Sequence, residues 1–148
     1  MLLFAYGANL NLRGMKRRCP KAVAVTATKL SGYRFEFRGF ATIVPDSAGQ
    51  VLGALYRLSP ACWRALDDYE GPRYSKIAVS VEGQGGVCAA ITYVMTAGER
   101  AAPTVAYYTA IARGYGDWKL DAAPLRRARL ATLHPEKVKT LPLGRTKL

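Results

Sequence analysis

The chain is poor in the residues from which metal centres, disulfide frameworks and histidine-dependent triads are made. Histidine occurs once, at His134. It stands beside Pro135 in a polar stretch, which reads as exposed and gives no support to a Ser-His or Cys-His arrangement. A zinc centre would need His134 together with all three cysteines, or would have to use carboxylates. Cys19, Cys62 and Cys88 have no metal-ligand spacing. An odd number of widely spaced cysteines without a CxxC pair fits reduced thiols in a reducing compartment, not a disulfide frame. No apolar run approaches the roughly 18 residues of a membrane span. Residues 1–6 are too short for a signal segment, lack a basic lead, and read as a strand that starts the fold. These absences point to a cytoplasmic protein that does not span a membrane. Acid is scarce as well: 10 Asp and Glu stand against 22 Lys and Arg, a net charge of +12. Such an excess favours anionic partners. The cations gather at Arg13, Lys16, Arg17 and Arg18, at Arg126, Arg127 and Arg129, and at Lys137, Lys139, Arg145 and Lys147. They can be a solvated surface, a funnel for an anionic substrate, or a nonspecific nucleic-acid contact. The aromatics do not interleave with these clusters as a stacking platform requires, which argues against nucleic acid.

What is present is ordinary for a globular protein. The 148 residues are 50% apolar, enough for one domain with a real core. No repeat, low-complexity tract or linker divides them, so residues 1–134 are expected as one domain and 135–148 as a basic, irregular tail. Residues 2–6 read as a strand and Gly7-Ala8-Asn9 as the turn after it. Asn9 or Asn11 can cap a short helix running to about Arg18. Strands are expected over 23–30, 33–37, 42–44 and 51–58, with a turn at 45–50 whose chemistry comes from Asp46, Ser47 and Gly49. Ser59-Pro60 is a helix start and Gly71-Pro72 its stop. Residues 75–82 and 87–95 read as a hairpin, and 104–115 and 123–133 as helices. Six or seven short strands joined mostly by tight turns, with a few helices, imply an α+β fold built on a small closed or nearly closed, antiparallel or mixed sheet.

Two short segments carry chemistry. Phe4-Ala5-Tyr6-Gly7-Ala8-Asn9 is an apolar run that breaks into a glycine turn. Gly7 has no Cβ, so it can take a positive φ and let a ligand approach the backbone, where consecutive N–H groups can converge on an anion. Leu66-Asp67-Asp68-Tyr69-Glu70-Gly71 is a helix end that carries acid into a glycine stop. Together they can hold a carbonyl and supply one proton-transfer group. A carboxyl in that role benefits from a pKa raised by apolar neighbours, for which Trp63, Tyr69 and Tyr6 are the candidates.

The two segments resemble the gamma-glutamylcyclotransferase (AIG2-like) family, whose N-terminal signature is Tyr-Gly-Ser-Asn and whose catalytic glutamate lies in Leu-Asp-x-x-Glu-Gly. A third match is Tyr107-x-x-x-Ile111-x-x-Gly114, and Tyr74 matches an aromatic after the glutamate segment. The resemblance runs over about residues 2–116. It implies a compact β-barrel flanked by helices. It also implies an intramolecular reaction in which the α-amine of a γ-glutamyl compound attacks its own side-chain amide, giving 5-oxoproline and a free amine or amino acid. No metal, cofactor or nucleotide takes part in that scheme. On this resemblance Glu70 is the acid/base, and Leu3, Phe4, Ala5, Tyr6, Gly7, Ala8 and Asn9 form the carbonyl and γ-glutamyl clamp. Tyr107 is a supporting donor, and Tyr74 is packing. The partner is a small γ-glutamyl molecule, and the protein is a monomer or homodimer. Ala8 departs from the family serine, removing a hydroxyl but keeping the backbone N–H. A non-catalytic ligand-binding module of the same fold is the rival expectation, and a basic nucleic-acid-binding protein the weaker one.

Overall fold

The computed structural model describes residues 1–83 and 85–133. In chain order the elements are β1 (Leu2–Ala5), α1 (Leu12–Arg18), β2 (Val23–Arg38), β3 (Phe40–Arg57), α2 (Pro60–Glu70), β4 (Tyr74–Gly83), β5 (Gly86–Met95), α3 (Val105–Asp117) and α4 (Ala123–Leu133). A single 3-10 turn, Ala8–Leu10, follows β1. The expected tail at 135–148, and His134 with it, lie outside the described residues.

The sheet order is β2-β3-β1-β5-β4. β1 is the shortest strand and lies in the middle, antiparallel to β3 and parallel to β5 through the Leu3–Ile91 pair. Its unbroken apolar sequence suits a strand flanked on both edges and covered on both faces. Leu3, Phe4 and Ala5 are all buried. The hairpin expected between 75–82 and 87–95 is present as β4 and β5, paired from Tyr74–Met95 to Gly83–Gly86.

Two expectations are corrected. The four strands read over residues 23–58 are two long ones, β2 and β3, paired almost end to end. The turn expected at 45–50 is a bulge inside β3. Ser31 pairs with Gln50 and Tyr33 with Pro45, so residues 46–49 loop out opposite Gly32. Asp46 does act as a turn residue, accepting from the Ala48 N–H at 3.1 Å, but the ladder resumes beyond it. A local turn signal therefore marked an interruption and not an end. The α+β class stands, whereas "barrel" is loose, because no ladder joins β2 to β4. Those edges meet through the Thr28 hydroxyl, which donates to the Glu82 carbonyl, and a Lys29–Glu82 ion pair at 3.8 Å.

Of the expected caps Asn11, not Asn9, and Ser59 are used, and Thr104 caps a third helix. Asn11 accepts from the Gly14 N–H at 2.9 Å, Ser59 from Cys62 at 3.2 Å and Thr104 from Tyr107 at 3.2 Å. Gly71, at φ 71°, closes α2 in the left-handed region that a side chain disfavours. α3 packs on the 3-10 turn so closely that a Cβ on Gly114 would lie 2.7 Å from the backbone of Leu10 and Asn11. Asn11 donates to the Ala110 carbonyl at 3.0 Å and Trp118 to the Leu10 carbonyl at 2.9 Å. The turn after β1 is thus fixed from outside by α3. Among the described residues no helix is long and apolar enough to cross a membrane.

Candidate active site

The carboxyl end of β1, the 3-10 turn, the end of α2, the start of β4, β5 and α3 enclose a cavity of about 190 Å³. Leu3, Phe4, Ala5, Tyr6, Gly7, Ala8 and Asn9 form one wall, with Glu70 and Tyr107 on the others. All nine residues singled out in the sequence are therefore brought to one hollow. Trp63, expected beside the acid, is not part of the lining; its ring lies 6.3 Å from that of Tyr93.

The wall after β1 is a row of donors. The first closed bond of the 3-10 turn runs from the Leu10 N–H to the Gly7 carbonyl at 3.0 Å. The N–H groups of Gly7, Ala8 and Asn9 precede that bond and have no partner among the described residues, as the opening of any helical turn dictates. Gly7 has φ −123°, so the positive φ expected for it is not used. Its lack of a side chain serves close packing, because a Cβ there would lie 3.2 Å from the Ala41 Cβ and 3.9 Å from the Tyr107 hydroxyl.

Glu70 sits on the last turn of α2 and is mostly buried. Burial raises its pKa from 4.5 to about 7, opposed by a hydrogen bond from Asn9 and by the charges of Arg18 and Arg73. Asn9 Nδ2 donates to Glu70 Oε1 at 3.2 Å. Asn9 Oδ1 in turn accepts from Arg18, at 2.8 Å from Nη2 and 3.2 Å from Nε. Arg18 also donates to the Ala8 carbonyl at 3.3 Å, and Tyr56 to the Asn9 carbonyl at 2.8 Å. The Asn9 side chain is therefore committed to the acid, and its place in the clamp rests on the backbone. Glu70 Oε2 has no hydrogen-bond partner among the described residues, which leaves it available to a ligand.

Tyr107 receives the Ala41 N–H at 3.1 Å, and its hydroxyl neighbours that of Tyr74. Burial pushes its pKa up to about 12, keeping it a neutral donor. Tyr74, expected as packing, lines the cavity as well, donating to the Ala41 carbonyl at 2.6 Å. Tyr6 is buried and donates to the Tyr93 carbonyl at 2.5 Å.

Sequence reasoning missed Arg18, Arg73, Thr92 and Tyr93. Arg18 was one member of a basic cluster, with nothing local to set it apart. Arg73 stands three residues beyond Glu70, and that closeness was the one available signal. Thr92 and Tyr93 enter through β5, whose pairing beside β1 no local pattern reveals. Among the described residues no group of three His, Cys, Asp or Glu could hold a metal ion.

A family model described as gamma-glutamyl cyclotransferase, AIG2-like, matches residues 3–120. The chain belongs to this family. A mouse gamma-glutamylcyclotransferase is 30% identical over 131 residues, covering 76% of this chain and 69% of that protein. A bovine gamma-glutamylcyclotransferase is 28% identical over 157 residues, covering 93% of this chain and 81% of that protein. A solved structure titled gamma-glutamyl cyclotransferase superposes with a TM-score of 0.78 at 25% identity, covering 86% of this chain and 85% of the other. The family match takes in the turn after β1, the Glu70 segment and the Tyr107 helix, so all three walls of the cavity lie inside the gamma-glutamylcyclotransferase region.

Proposed function

We propose that this gamma-glutamylcyclotransferase-family protein converts a γ-glutamyl substrate to 5-oxoproline and a free amine or amino acid, with Glu70 as the proton-transfer group. The observation that carries this reading is a partly buried carboxyl, Glu70, lining one hollow together with a row of backbone donors unpartnered among the described residues; burial raises its pKa to about 7.

The substrate's α-amine is an ammonium at neutral pH and cannot attack until it loses a proton. Glu70 takes that proton. The neutral nitrogen then bonds to the side-chain carbonyl carbon and closes a five-membered ring. Negative charge develops on the carbonyl oxygen, and the N–H groups at residues 7–9, with the Tyr107 hydroxyl, are the donors placed to receive it. The bond to the leaving nitrogen breaks as Glu70 returns the proton to it, and the ring nitrogen sheds its second proton, which ends on the released amine as an ammonium. A positioned base contributes roughly 10²–10⁴ in rate and an oxyanion donor about 10²–10³. A pKa near the working pH lets one carboxyl act in both directions. Nucleophile and electrophile share one molecule, so folding the substrate within the cavity supplies much of the remainder. The reading requires neither a metal nor a nucleotide, and it uses the backbone N–H of Ala8, for which the missing serine hydroxyl is immaterial.

The test is a panel of γ-glutamyl amino acids and amines assayed for 5-oxoproline. Turnover of at least one member is expected, with a loss of roughly 10²–10⁴-fold in Glu70→Gln while the protein stays folded. Full activity in that variant removes Glu70 from the reaction. No product from any member favours a binding module of the same fold.

A further inference from the structure

Arg73 is the one cation in the lining of the cavity, and the proposed cyclisation gives it no contact with the substrate. It follows the Gly71 stop of α2 and immediately precedes Tyr74. Its guanidinium carbon lies 4.3 Å from the centroid of the Phe40 ring, a stacking contact that orients a cation without neutralising it. Among the described residues no carboxylate pairs with it. By contrast Arg34, Arg38 and Arg100 all converge on Glu36, and Arg18 is occupied by Asn9 and Ala8.

The cavity is graded from a dry floor to a wet rim. Leu3 and Phe4 are each 1% exposed and Thr92 is fully buried, whereas Phe40 is 38% and Tyr69 48% exposed. Arg73 is itself exposed and belongs to the rim. The portion of a substrate that cyclises must reach the Gly7–Asn9 donors and Glu70, at depth. The portion that leaves must point outward, where it can be released without passing the ring. The two parts of a γ-glutamyl substrate are thereby assigned to opposite ends of the hollow, and Arg73 faces the departing one.

We propose that Arg73 is a specificity-determining residue that binds the carboxylate of the leaving amino acid, so that the protein prefers γ-glutamyl amino acids to γ-glutamyl amines. This inference rests on the cyclisation reading for the direction in which the substrate lies. A guanidinium presents paired N–H donors to a carboxylate, and the exposed position leaves that carboxylate room to enter. A neutral alkylamine leaving group offers Arg73 nothing, and a cationic one is repelled.

Two ligands isolate the effect. γ-Glutamyl-alanine and γ-glutamyl-ethylamide share the glutamyl part, including its own α-carboxylate, and differ only in the carboxylate of the leaving group. Their affinities are measured by calorimetry in Glu70→Gln, which binds without turning over, and in the double variant Glu70→Gln/Arg73→Met. In Glu70→Gln the alanine ligand is expected to bind about tenfold more tightly than the ethylamide, as one charge-assisted contact allows. In the double variant that ratio should collapse towards one, with most of the loss on the alanine ligand. Equal affinities in Glu70→Gln, or an equal loss for both ligands on removing Arg73, overturn the assignment while leaving the cyclisation reading intact. Discrimination in binding combined with no 5-oxoproline from the wild-type protein upholds Arg73 and sinks the cyclisation reading. Binding of neither ligand overturns both. Arg73→Lys, which keeps the charge but loses the planar fork, should retain part of the preference and serves as the control for folding.

Discussion

At the scale of the residue, the proposed role of Glu70 sets activity against stability. Its folded pKa of about 7 lies above the ordinary 4.5, so between those values the folded protein holds a proton that the unfolded chain has released. The associated stabilisation is complete below about pH 4.5 and is lost as pH rises through 7. Glu70→Gln never carries the charge. It should therefore be more stable than the wild type by about 3 kcal/mol at pH 8 and indistinguishable at pH 4, as read by urea unfolding at the two pH values. On the proposed reaction the same ionisation gives the rate an acid limb: turnover should rise through about pH 7 as the carboxylate forms. Asn9 donates to that carboxylate and so favours the charged form. Asn9→Ala should move the limb to higher pH, visible in a pH profile of kcat/KM; a limb that stays in place would mean that the Asn9 contact does not tune the acid. Much of this site was legible in the sequence. Glu70 and Gly7 stand in recognisable local contexts, a helix stop and a strand-to-turn break. Arg18 and Asn9 are linked by a side-chain bridge that has no sequence period, and so their partnership was not.

At the scale of the element, helix boundaries were legible because capping is local. Asn11, Ser59 and Thr104 each accept from an N–H three residues on. The strands of the first half were less so. Asp46, Ser47 and Gly49 carry turn chemistry, and only the distant register of β2 decides that the chain bulges there and continues. The same lack of long-range information hid β5 beside β1, and with it Thr92 and Tyr93. The contact between α3 and the 3-10 turn is the element-scale support of the donor wall. Gly114→Ala places a methyl 2.7 Å from the Leu10 backbone, where no rotamer can relieve it. It should cost about 1–3 kcal/mol in denaturant unfolding and lower activity more than an equal loss of stability elsewhere, because the displaced segment carries the N–H groups of residues 7–9. A destabilised Gly114→Ala with wild-type kcat would show that the turn keeps its shape without α3.

At the scale of the whole molecule, the chain carries a net charge of +12, and the rim of its cavity holds Arg73. Long-range attraction acts on encounter, and chemistry at a buried carboxyl does not feel it. For an anionic substrate KM should rise about threefold between 0.05 and 0.5 M salt, with kcat nearly constant, measured in steady-state assays. A KM indifferent to salt would reduce the charge excess to ordinary surface solvation. One feature of the topology reaches further. β1 is written first and enclosed last, for its two neighbours are Ala54–Arg57 of β3 and Ile91 of β5. During synthesis the Leu2–Ala5 segment leaves the ribosome with nothing to pair with on its second side until Ile91 has followed it out. A nascent chain halted before that point lacks Thr92, Tyr93 and Tyr107 from the lining of the hollow. Closure of the hollow thus depends on the pairing of Leu3 with Ile91, a contact between distant parts of the chain of the kind that slows folding.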